Sequence, residues 1–328
     1  MFIPGMYGVA LMLMILTMLC WGSWANTQKL TAGYAFQLFY WDYVIGVLGA
    51  SLVWGLTLGS VYGGPSAFLA NLGHADASAY VYALGAGAVF NVANVLLVAS
   101  IAMAGMAVAF PVGIGLALVV GVVLNYALAP QGNPALLFGG MALVMVAIVL
   151  DAIAYRRRES TRKASGRGVR LSIASGVLMG LFYPLVTKAT MGRDGLGPYA
   201  VAFVFAIGVV ACTVVVNTWL MARPFAGGQK VGFGDYFRAR GTWHVWGVIG
   251  GLIWGTGAIA NFVASQTHMV GPAISYALGQ GATMISAAWG VFVWREFADA
   301  SADSRRLIPW MFVFFLAGLA AIAVAPTF

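Results

Sequence analysis

The chain has 328 residues, of which 62% are hydrophobic and 8% charged. A water-facing surface normally carries about 25% charged residues, so a soluble domain is excluded and a membrane is the implied solvent. The formal charge of +8 is no argument for a nucleic-acid partner, because basic residues of membrane proteins gather in cytoplasmic loops for topological reasons. Both cysteines, Cys20 and Cys212, sit in apolar runs, which leaves no disulfide, zinc or redox framework and implies no cofactor.

A bilayer core about 30 Å thick needs roughly 20 apolar residues per helix. Runs of that length lie at 6–26, 38–58, 79–101, 105–127, 134–154, 171–190, 198–221, 243–265, 271–293 and 307–325. They are too long and continuous for barrel strands, which take about ten residues of alternating polarity. The first run has no basic residue ahead of it and exceeds a signal-peptide core, so it reads as a mature helix. The predicted fold is an all-α membrane protein of ten transmembrane helices.

Between the fifth and sixth runs lies 155–170, YRRRESTRKASGRGVR, dense in Lys and Arg against the single Glu159. Such a segment marks the cytoplasmic side. Alternating the spans from it places every basic residue except Lys188 and Arg193 on that side and both termini on the other. The expected setting is a bacterial inner (plasma) membrane with extracytoplasmic termini.

The same segment separates a first five-helix repeat, 1–154, from a second, 171–328. An odd number of spans in each half inserts the second upside down, the inverted repeat of secondary transporters. Gly105, Ala107, Gly113 and Gly115 align with Gly271, Ala273, Gly279 and Gly281, while Phe110 falls on Tyr276. A second alignment lays Trp24 on Tyr183 and Lys29 on Lys188. Glycines around the two short connections at 105 and 271 suit close packing or a hinge.

Polar side chains at membrane depth are costly and usually face a bundle interior or an aqueous cavity. Here they form stripes. Trp254, Gly257, Asn261 and Ser265 share one face of the eighth span, and Tyr276, Gln280 and Thr283 one face of the ninth. Asn91 and Asn94 pair on the third, Trp21 and Trp24 on the first, Tyr183 and Thr187 on the sixth. Amides interleaved with flat rings suit a neutral, hydrogen-bonding, ring-shaped solute. The candidate contacts are Trp24, Asn91, Asn94, Tyr183, Trp254, Asn261, Tyr276 and Gln280. Plain interhelical hydrogen bonds, worth about 0.6 kcal/mol each, are the alternative for any one of them.

Lys29 closes the first span and Asp42 opens the second in FYWDY, so the two can meet at the cytoplasmic end. Asp42 has two readings: dipole stabilisation beside an interfacial belt of Tyr40, Trp41 and Tyr43, or a gate or proton-coupling role. Lys188 would act at the outer end. Asp151 reads as a surface ion pair with Arg156, Arg157 or Arg158. No phosphate-cradling loop that an ATP-driven pump needs is present. Gly232-Phe233-Gly234-Asp235 matches the GxGD of intramembrane proteases, but no second aspartate in a core span meets it. His74, His244 and His268 lie at loop ends without metal spacing and read as solvated or interfacial.

WGSWANTQKL at 21–30, WDYVIGVLGASL at 41–52, VVGVVLNY at 119–126, and the stretch from Gly250 to Glu296 with ISYALGQG and AWGVFVWREF carry a family likeness. The chain resembles the ten-helix drug/metabolite transporter superfamily, in the branch of the plant ureide permeases and bacterial glucose/rhamnose porters. That resemblance implies a secondary carrier for sugars, ureides or nucleobase-like rings, driven by protons or a solute gradient, with its site between the halves. Plant ureide permeases have a longer central segment with a nucleotide-loop-like motif, which 155–170 lacks, and many superfamily members keep both termini in the cytoplasm.

The resulting expectation is an alternating-access permease and not an enzyme, with a small solute, lipid and protons as partners, acting as monomer or homodimer. Export of amphipathic drugs or metabolites and a non-transporting receptor are the alternatives.

Overall fold

The computed structural model describes residues 1–158, 165–225 and 228–328, apart from the side chain of Arg158. Glu159, Arg162 and Lys163 of the basic segment lie outside the described residues. The helices are α1 Tyr7–Ser23, α2 Asn26–Lys29, α3 Phe36–Leu56, α4 Phe68–His74, α5 Ala77–Ala104, α6 Met106–Leu128 and α7 Pro134–Arg158. The second half holds α8 Gly166–Thr190, α9 Pro198–Ala222, α10 Phe233–Arg238, α11 Gly241–Ser265, α12 Gly271–Gly279, α13 Ala282–Ala288 and α14 Ala302–Val324. No strand occurs among the described residues.

Nine described helices are long and apolar enough to cross a membrane, α1 and α2 counting as one. The run 271–293, expected as one helix, is instead broken into α12, α13 and a π-turn at Trp289–Val293. The break falls at Gly279-Gln280-Gly281, where the Gln280 amide is shared between the Tyr276 and Ala277 carbonyls. Two glycines beside one polar residue give the helix little to hold it there.

Termini gather at one end, the terminal face: Tyr7 donates to the Ala323 carbonyl and the Phe2 amide to that of Leu58 at 2.8 Å. The opposite end, the basic face, carries Lys29, the start of α3, the end of α7 and the start of α11.

The halves interlock. α3 packs on α11 and α5 on α9; α5 and α6 pack on α8, α1 on α11, α12 and α13, and α7 on α14. Two of these crossings are backbone on backbone. A Cβ on Gly46 would strike the Val248 carbonyl and one on Gly251 the Tyr43 carbonyl; likewise Gly87 abuts the Phe205 carbonyl and Gly208 that of Leu84. Small residues let membrane helices approach this closely, so dispersion rather than hydrophobic transfer holds them. Gly105 (φ +80°) and Gly271 (φ +73°), aligned from the sequence, each open a helix in the left-handed region that favours glycine.

Candidate functional site

The interior between α1, α3, α5 and α11 is an aromatic box. Trp254 of α11 stacks on Trp21 at 5.8 Å between ring centres, meets Tyr43 edge-on at 6.3 Å and lies 4.5 Å from Phe90. Tyr43 in turn packs on Trp24 at 4.7 Å and Tyr40 at 5.4 Å. Helical spacing explains the set: Phe36, Tyr40, Tyr43 and Val47 fall on one face of α3, while Trp41 turns out toward Phe233 and Met221.

Polar atoms enter the box from α5. Tyr40 Oη donates to Asn91 Oδ1 at 2.8 Å, Thr213 Oγ1 donates to the same oxygen at 2.9 Å, and Asn94 Nδ2 donates to Tyr40 Oη at 3.2 Å. Trp21 Nε1, Tyr43 Oη and Asn91 Nδ2 are buried with no protein partner. Tyr40, Tyr43 and Asn91 are wholly buried. Among the predicted contacts, Trp24, Asn91, Asn94 and Trp254 are therefore brought together here.

Tyr183, Asn261 and Tyr276 form a second group. Tyr183 Oη donates to Asn261 Oδ1, Asn261 Nδ2 donates to the Ser275 carbonyl at 2.9 Å, and Tyr276 Oη donates to the Ala117 carbonyl at 3.1 Å. Their polar tips are used up within the fold. Phe182 links the groups, 5.3 Å from Phe90 and 5.8 Å from Tyr183. Gln280 sits at the break between α12 and α13, and its side chain has no hydrogen bond to either group among the described residues.

At the basic-face end of α3, Asp42 sits against a cap of rings. Tyr34 Oη donates to its Oδ2 at 2.8 Å and Tyr236 Oη to its Oδ1 at 2.6 Å; His244 Nδ1 lies 2.9 Å from Oδ1 and 3.0 Å from Oδ2. Burial, and then the bond to Asp42, push both phenols above their ordinary range, so they remain donors. Asp235 of GFGD takes no part: its carboxylate accepts from the Gly232 amide at 2.8 Å and caps α10.

Several expectations need correction. Lys29 does not meet Asp42. It pairs with Glu296 Oε1 at 2.8 Å, while Tyr155 Oη donates to Glu296 Oε2 at 2.6 Å. Glu296 lies just past the π-turn, next to Arg295, whose φ is +50°. His244, read as solvated or interfacial, is Asp42's partner, since α11 starts beside the start of α3. Asp151, half-buried on α7, makes no ion pair among the described residues. Lys188 is exposed near the terminal face, 5.5 Å over the Tyr82 ring.

Sequence reasoning missed Tyr40 and Tyr43 as box walls, along with Glu296, Tyr34 and Tyr236. The i, i+3 spacing of the two tyrosines was the available signal. The others arrive from segments distant in sequence, where no local pattern could announce them.

The family model described as Ureide permease matches residues 39–171 and 156–325. Its division at 156–171 coincides with the basic segment. Ureide permease 1 of Arabidopsis thaliana is 22% identical over 384 residues, covering 96% of this chain and 96% of that protein. Ureide permease 2 of the same plant is 22% identical over 389 residues, with 96% of each covered. A crystal structure of a protein with 16% sequence identity superposes with a TM-score of 0.61 over 95% of both chains, which shows the fold alone. The relatives are named as permeases, so a membrane transporter, not an enzyme, is what the chain is similar to. They are plant proteins and give no support to a bacterial membrane.

Proposed function

This chain belongs to the ureide permease family, and from that premise we propose that it carries a small, neutral, polar, ring-shaped solute of the ureide or nucleobase type. The aromatic box supports this reading above all: flat walls from Trp21, Trp24, Tyr43 and Trp254, amides from Asn91 and Asn94, and no fixed charge among them. Trp24, Asn91, Asn94 and Trp254 touch the solute. Tyr183, Asn261 and Tyr276 brace the wall behind Phe182, and Gln280 meets the solute when the broken ninth span moves. A sugar fits the amides but has no counterpart in the relatives' names, and exported amphipaths would want a less polar lining.

Access alternates between two inverted halves, 1–154 and 171–328. The helix pairings support this, because exchanging each span with the one five places on returns the most extensive of them: α3 on α11 becomes α9 on α5, and α7 on α14 maps onto itself. Gly105 and Gly271, alike in position and backbone, support it independently. In the closed arrangement, Asp42 with His244 and Lys29 with Glu296 seal the basic face, which is cytoplasmic. Transport is coupled to protons through the Asp42–His244 pair, the one buried carboxylate–imidazole contact among the described residues.

The test is uptake of radiolabelled allantoin, uracil and glucose into proteoliposomes, with and without an imposed pH gradient. Saturable uptake of allantoin or uracil is expected; failure of all three to enter above protein-free vesicles would sink the carrier reading.

A further inference from the structure

Among the described residues, buried side-chain polar atoms left without a protein partner are not evenly spread. Three of the six, Trp21 Nε1, Tyr43 Oη and Asn91 Nδ2, belong to the box around Trp254. Of the rest, Gln131 Oε1 lies in the loop before α7, Ser172 Oγ near the start of α8, and Asn217 Oδ1 on α9, where its own Nδ2 donates to the Gln37 carbonyl at 2.8 Å. Buried donors without partners are rare in folded proteins and ask for a reason.

Tyr40 decides which way the two asparagines face. Its one proton goes to Asn91 Oδ1, an oxygen that also accepts from Thr213. Thr213 also reaches the Val209 carbonyl at 2.8 Å with its single proton, so it does not by itself fix the amide; with the Tyr40 proton on Oδ1, Asn91 Nδ2 is the end left over. The Tyr40 oxygen accepts from Asn94 Nδ2, so Asn94 Oδ1 is the end to which no described residue donates. Asn91 and Asn94 are three residues apart on α5 and therefore neighbours on one face. Together they offer an N–H and a C=O side by side.

We propose that Tyr40 is a positioning residue that sets this polarity, and that Asn91 and Asn94, with Trp21 and Tyr43 as further donors, recognise the O=C–N–H edge of a planar lactam, imide or ureido group. This rests on the carrier reading above. A carbonyl oxygen accepts without bringing a proton of its own. Each hydroxyl of a polyol brings one, and the box offers donors from Trp21, Tyr43 and Asn91 against acceptors only at the Asn94 amide and the Tyr43 hydroxyl. A wrong ligand would leave buried groups unpaired, the strongest means of polar discrimination a site has.

The experiment compares wild type with Trp21→Phe, Tyr43→Phe and Tyr40→Phe in proteoliposomes, measuring KM for allantoin, uracil and glucose beside solute-free thermal unfolding. Tyr43→Phe keeps the ring and removes only the unpartnered hydroxyl, whereas Trp21→Phe removes the N–H together with part of the indole, so KM for allantoin and uracil should rise about tenfold in each. The unfolding temperature of Tyr43→Phe should hold or rise, because no protein bond is lost. Tyr40→Phe frees both amides to reverse and should shrink the preference for allantoin over glucose by about tenfold. The proposal is overturned by unchanged KM in Tyr43→Phe, by a fall in that variant's unfolding temperature that accounts for lost uptake, or by wild type taking glucose as readily as allantoin. If wild type moves none of the three, the carrier reading itself fails, before any variant is compared, and this inference falls with it.

Discussion

Asp42 and His244 touch beside the backbone-on-backbone crossing of α3 and α11 at Gly46 and Gly251, His244 Nδ1 standing 2.9 Å from Asp42 Oδ1. A Cβ on Gly247 would strike that of Asp42, so this carboxylate cannot withdraw without parting the helices. Under the proposed coupling, a change at Asp42 would accompany the separation of α3 from α11.

Asp42→Asn should remove most pH-dependent uptake while leaving solute binding largely intact. Tyr34 and Tyr236 bear on the sign. Their raised pKa values place any loss of their stabilisation above pH ~10, so they stay neutral donors through the physiological range and contribute no slope there. Uptake measured from pH 5 to 8.5 checks this: a variant profile that still follows wild type sinks the coupling role.

Tyr236→Phe deletes a hydrogen bond to a carboxylate and should cost about 1.5–3 kcal/mol of stability. The shape of the pH–uptake curve should survive, because the Asp42–His244 contact proposed for coupling remains. Denaturation in detergent alongside the uptake profile separates the two effects, and a displaced curve would assign Tyr236 to the coupling step.

The α3–α11 crossing gives a packing prediction with its own control. Gly251→Ala sets a methyl against the Tyr43 carbonyl and should destabilise by about 1–3 kcal/mol, because backbone cannot yield as a side chain can. Gly85→Ala on α5 meets nothing within 4 Å and should stabilise by up to about 1 kcal/mol through helix propensity. Equal unfolding temperatures for the two variants would mean that the crossing is looser than drawn.

The helices were legible in the sequence because one physical demand, that backbone polar groups in lipid be satisfied internally, writes itself as runs of about 20 apolar residues. The ninth span was misread because its apolar count is high while the glycines flanking Gln280 break it. Trp24, Asn91, Asn94 and Trp254 stood out as polar or aromatic residues at helical spacing. Tyr40 and Tyr43 did not, since FYWDY also looks like an interfacial belt, and only the fold turns Trp41 outward and the tyrosines in. The partners of Lys29 and Asp42 were beyond reach: Glu296 and His244 stand 267 and 202 positions away, and a charge says nothing of which distant partner it meets.

Tyr183 sharpens the division between solute contacts and scaffold. Its hydroxyl, unlike that of Tyr43, is bonded to a protein group, Asn261 Oδ1. Removing it should leave that buried acceptor short of a partner, at about 1–3 kcal/mol, and lower the unfolding temperature. KM for allantoin should change less than about threefold, since the ring and the wall it makes behind Phe182 persist. Tyr43→Phe should do the reverse. Measured together, unfolding temperature and KM place each tyrosine on one axis or the other. A Tyr183→Phe variant of unchanged stability and much weakened uptake would move Tyr183, with Asn261 and Tyr276, back into direct contact with the solute.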